Sequence, residues 1–66
     1  MIFSEDSTEK GNKCEIVIKG LTIDCVVLCA FELWNKNKLV YRKYRLESND
    51  KEIFDNINSS DIKFKK

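Results

Sequence analysis

Between Cys14 and Leu46 the apolar residues of this chain recur at every second position, a period that suits strands and excludes a helix. Cys14, Ile16 and Ile18 alternate with Lys13, Glu15 and Lys19. Lys19-Gly20 then supplies a two-residue turn, glycine tolerating the positive φ that such a turn needs. Pairing about this turn sets Ile18 opposite Leu21, Ile16 opposite Ile23 and Cys14 opposite Cys25. Both apolar sets then fall on one face, and turn position and pattern agree on the register.

A second, longer strand runs from Leu21 to Trp34, and its odd positions hold no polar residue. Asn35-Lys36-Asn37-Lys38 is a loop by composition. The third strand returns from it with Trp34 opposite Leu39, Leu33 opposite Val40, Cys29 opposite Tyr44 and Val27 opposite Leu46. Two positions fit badly. Arg42 lands on the core face opposite Phe31, so it must snorkel over the sheet end or be re-aimed by a bulge. Glu15 faces Asp24, a like-charge pair.

Past Leu46 the period changes. Asn49 with Glu52 forms a weak capping box, Ser48 is an alternative cap, and Ile53, Phe54 and Ile57 share one helical face. The sequence therefore predicts a short helix over residues 50–58, docked on the sheet because it is too short to persist alone. Ile62 and Phe64 alternate with Lys63 and Lys65 and can add a fourth short strand. The expected fold is α+β, a three-stranded antiparallel meander with one short C-terminal helix packed on one face, in the order β-β-β-α-β. Residues 1–12 are mostly polar and read as a flexible arm, with Ile2 and Phe3 available to dock or to add an edge strand. Residues 13–66 form the single small domain.

Sixty-six residues lie near the lower size at which one core suffices, so association is a natural supplement. Net charge is +1, which gives no global field for nucleic acid or membrane. The acids concentrate in the first half and the bases in the second. No segment reads as a secretory signal, and the longest apolar run, Cys25 to Phe31, is too short to span a bilayer. A reducing cytosol is the expected compartment. Lysine outnumbers arginine ten to two, isoleucine and asparagine abound, and proline is absent. That bias reflects AT-rich coding, as in a low-GC bacterium, its phage, or a large DNA virus or parasite.

The three cysteines read as small buried hydrophobes. Cys14 and Cys25 face each other with β-carbons roughly 5 Å apart, close enough for a disulfide. Cys29 lies about 13 Å further along the strand, so the three cannot share a metal. Histidine is absent, no nucleophile elbow or phosphate loop occurs, and an enzyme is not expected. Neither is a cofactor or metal.

Two surfaces remain as candidates. The outer sheet face carries Trp34, Leu39, Tyr41, Leu28 and Val26, flanked by Lys43 and Arg45, and is large for a surface with nothing to cover it. It predicts a protein-interaction module that binds a partner or itself, as a homodimer. A phage- or virus-encoded inhibitor of a host protein, of the anti-defence or anti-CRISPR type and acting in the host cytosol, would suit a short chain without catalytic groups. The alternative is a nucleic-acid-binding accessory protein using the basic strand, with Lys36, Lys38, Arg42, Lys43 and Arg45 for phosphates and Tyr41 for bases.

Overall fold

The computed structural model describes residues 1–65; Lys66, the last residue of the expected domain, lies outside them. Six strands make up the fold: β1 (Ile2–Asp6), β2 (Lys13–Ile18), β3 (Leu21–Asn35), β4 (Lys38–Ser48), β5 (Ile53–Asn58) and β6 (Ile62–Phe64), with a 3₁₀ turn at Ser59–Asp61. All pair antiparallel in the order β5-β4-β3-β2-β6, and β1 lies beside β3. No α-helix occurs among the described residues, so the fold is almost entirely antiparallel sheet and the expected α+β architecture is corrected.

Residues 50–58 account for that correction. Ser48 Oγ accepts hydrogen bonds from the amides of Asp50 (3.2 Å) and Glu52 (3.1 Å), which closes a hairpin turn where a helix cap was expected. In β5, Tyr44 faces Ile57 and Leu46 faces Phe54, so β5 spends one residue more than β4 over that interval. Asn56 takes up the bulge at φ 62. A bulge sends residues three apart to the same face, so Phe54 and Ile57 reach the core with the spacing of a helix.

Around Lys19-Gly20 the expected register holds: Ile18, Ile16 and Cys14 pair with Leu21, Ile23 and Cys25. Glu15 also faces Asp24, and Lys65 resolves that clash by pairing with both carboxylates. The β3–β4 pairing agrees with expectation at both ends and shifts by one in the middle. Val27 faces Leu46 and Trp34 faces Leu39, but between them Cys29 faces Arg45, Ala30 faces Tyr44, Glu32 faces Arg42 and Leu33 faces Tyr41. Leu28 is the extra residue on β3 and Val40 the extra residue on β4, two compensating bulges. The Leu28 bulge reverses which residues of β3 face inward, so Ala30 enters the core, while Arg42 and Tyr44 of β4 keep the inward face that alternation gave them. Phe31 and Val40 therefore leave the core face on which the alternation placed them, and Val40 is 50% exposed.

The sheet is strongly curved. Tyr44 on β4 and Phe64 on β6 are three strands apart, which in a flat sheet would separate them by about 14 Å, yet their ring centroids lie 5.4 Å apart. The 3₁₀ turn carries the chain from the β5 edge to the β6 edge in only three residues. A straight strand as long as β3 would span about 50 Å, whereas the longest dimension of the molecule is 37 Å, so β3 bends. The core encloses Cys14, Ile16, Cys25, Val27, Ala30, Tyr44 and Leu46, with Phe54, Ile57 and Ile62 packed against them.

The first half of β3 pairs with β2 and its second half with β1. β1, the second half of β3 and the first half of β4 form a distal blade beyond the core. This blade presents two faces.

Candidate functional site

On the inner face of the blade, Arg42 fills the mouth of the core. Its Nη1 donates to Glu32 at 2.8 Å and its Nη2 to Glu9 at 2.9 Å and Asp6 at 3.2 Å. Nε donates to the Tyr44 hydroxyl at 2.8 Å, and that hydroxyl donates on to Glu9 at 3.1 Å. Desolvation works against the charge, but the hydrogen bonds with Tyr44, Glu32 and Glu9 outweigh it and raise the Arg42 pKa. Asp6 is held below the usual carboxylate range, first by the Thr8 amide and then by Arg42. Burial pushes Tyr44 up, and its bond from Arg42 opposes the shift. Three carboxylates converge on one guanidinium, and two come from residues 1–12, where a flexible arm was expected. That segment also bonds β3 through the Gly11 amide to the Val27 carbonyl and the Val27 amide to the Asn12 carbonyl, each at 2.9 Å.

The outer face carries a groove of about 270 Å³ with Phe3, Phe31 and Tyr41 as its floor and Lys43, Arg45, Asp55 and Asn56 as its rim. Phe3 and Phe31 stack at 5.9 Å with 17° between ring planes. Lys43 Nζ lies 4.8 Å from the Tyr41 ring centre, and the Arg45 guanidinium 5.1 Å from that of Phe31. Arg45 Nη2 donates to Asp55 at 3.1 Å, a bond that raises the Arg45 pKa and lowers that of Asp55. Two bulges create the groove. The extra residue at Leu28 turns Phe31 outward, and the bulge at Asp55-Asn56 brings its rim opposite Arg45.

The groove unites Tyr41, Lys43 and Arg45 of the expected interface and adds Phe3, Phe31, Asp55 and Asn56. Trp34 and Leu39 pair with each other on the far side of the Val40 bulge. The Trp34 indole N–H donates to Glu32 at 3.2 Å, which places it on the Arg42 side of the blade, away from Tyr41. Leu28 is the bulge residue, and Val26 pairs with Lys13 and Glu47 outside the blade. Both are half-buried. Of the residues proposed for nucleic acid, Lys36 and Lys38 sit exposed at the β3–β4 hairpin, while Arg42 faces inward, bound to three carboxylates. Phe31 was missed because unbroken alternation puts it in the core. The signal against that assignment was the charged Arg42 expected opposite it.

The cysteines are free and buried. Cys14 and Cys25 face each other as expected, but counting from the two-residue turn makes them a hydrogen-bonded pair, whose side chains stand further apart than those of the alternate pairs. Burial pushes the Cys14 thiol up to about 11 and raises Cys25 as well, so neither is an activated nucleophile. No cluster of metal-ligating side chains occurs among the described residues. No helix among them is long and apolar enough to cross a membrane. Comparison with known proteins finds no family model, no curated protein and no solved structure that matches the chain.

Proposed function

We propose that this chain is a small non-enzymatic protein-interaction module that binds through the outer face of the distal blade. One observation carries the reading: two strand bulges hold three aromatic rings at the surface in a groove with cations over the rings. Phe3 is 60% exposed there. Burying such rings in a partner is what supplies most interface energy, and bulges commonly re-aim side chains at working sites. The module acts by covering a surface of its target in the cytosol, as a phage- or virus-encoded inhibitor of a host protein does.

The nucleic-acid alternative loses force because Arg42 is engaged by three carboxylates and Arg45 by Asp55. Lys36, Lys38 and Lys43 are too few to track a backbone. Affinity capture with the wild type and with a Phe3→Ser/Tyr41→Ser double variant tests the reading. The double variant should keep the far-ultraviolet dichroism of the wild type and lose the captured protein. Retention by the double variant places the interface elsewhere. Capture that vanishes with nuclease treatment supports the nucleic-acid alternative.

A further inference from the structure

Two cations on the groove rim have charge to spare. Lys43 pairs with no carboxylate among the described residues, its ammonium resting over Tyr41. Arg45 gives only Nη2 to Asp55, which leaves its other N–H groups without a side-chain acceptor among those residues. The two residues are two apart on β4, so their stems stand about 6–7 Å apart on one face. Both heads line the same groove. Immediately beside them lies the Phe3–Phe31 stack, an apolar surface large enough for one aliphatic or aromatic side chain.

We propose that the groove takes an extended segment of a partner protein that carries one acidic residue, its carboxylate against Lys43 and Arg45 and an apolar neighbour against Phe3 and Phe31. This rests on the protein-binding reading and gives it a chemistry. Charge limits the occupant further. Glu5 pairs with Phe31 across the β1–β3 ladder, and Asp55 stands at the Arg45 end, so carboxylates bracket the two cations. One anionic side chain fits that pattern, whereas a continuous phosphate backbone would meet Glu5 and Asp55 on its way through. The rings favour the same ligand, because a cation held over an aromatic face keeps its position without a salt bridge and remains available.

The test uses a pool of short labelled peptides in which leucine or phenylalanine flanks glutamate, its glutamine-substituted twin, and labelled oligothymidylate, each titrated against the full chain by fluorescence anisotropy. The acidic pool should bind at least about tenfold more tightly than its neutral twin, with the gap narrowing as salt rises. A Lys43→Gln/Arg45→Gln variant should remove the gap and keep the weaker apolar binding. Equal binding of the two pools, or no binding of either, overturns the acidic ligand; the capture experiment then still judges the protein-binding reading separately. Binding of oligothymidylate in place of peptide overturns both. Sedimentation of the same samples checks the remaining occupant: a dimer dissolved by the double variant would assign the groove to a second copy of this chain and overturn the proposal.

Discussion

Arg42 and Lys43 are neighbours in the chain and lie on opposite faces of the same blade in opposite circumstances. Arg42 is 16% exposed at its side chain, bonds three carboxylates and a phenol, and completes the core. Lys43 rests on an aromatic ring and bonds no carboxylate among the described residues. The inner face supplies a partner for each nitrogen of its guanidinium, four hydrogen bonds in all. The outer face leaves Phe3 exposed and Phe31, Tyr41, Lys43 and Arg45 half-buried, a surface that stability alone does not require. Alternation along β4 separates the two residues, and the Leu28 bulge on β3 sets their surroundings, bringing Glu32 inside opposite Arg42 and Phe31 outside opposite Lys43.

Deleting Leu28 attacks this contrast at its source. Without the extra residue, Phe31 would turn inward and Glu32 would no longer meet Arg42, so the expected outcome is loss of cooperative unfolding and a molten far-ultraviolet spectrum. Neutralising the arm's share of the cluster should do less. Glu9→Gln leaves Arg42 with Glu32 and Asp6, and should cost about 1–2 kcal/mol by urea unfolding, with little effect on the groove chemistry.

Acid should act on the same contacts. The folded pKa of Asp6 is depressed, so its contribution is present above its unfolded value near 4 and is lost as pH falls through the folded value. Hydrogen exchange of the β1 amides should accelerate below about pH 4 before that of β2. Asp55 is depressed by Arg45 and titrates in the same direction, but its pair is exposed and joins no core. Asp55→Asn should therefore leave the urea midpoint where it was, the smallest effect of the series.

Legibility in the sequence follows these bulges closely. The Lys19-Gly20 hairpin was readable in full because a two-residue turn and a strict alternation specify the same register. The Trp34–Leu39 and Val27–Leu46 pairs were also readable, yet the pairs between them were displaced by one because the bulges at Leu28 and Val40 cancel. A register correct at both ends conceals an inversion of β3 in the middle, while β4 keeps its facing from Tyr41 to Leu46. The groove lies in that inverted stretch, so Tyr41, Lys43 and Arg45 were identified while Phe31 was assigned to the core. Phe54 and Ile57 misled in a related way, since a bulged strand and a helix both put residues three apart on one face. Ser48 reads as an alternative helix cap in the sequence; its hydroxyl closes a hairpin turn and starts no helix.

The most direct measurement compares Arg42→Gln with Lys43→Gln by urea unfolding under identical conditions. Removing a largely buried charge that holds three carboxylates should lower stability by about 2–4 kcal/mol, whereas Lys43→Gln should leave the midpoint unchanged and weaken only partner binding. Equal losses for the two variants, or a larger loss at Lys43, would contradict the assignment of one face to the fold and the other to function.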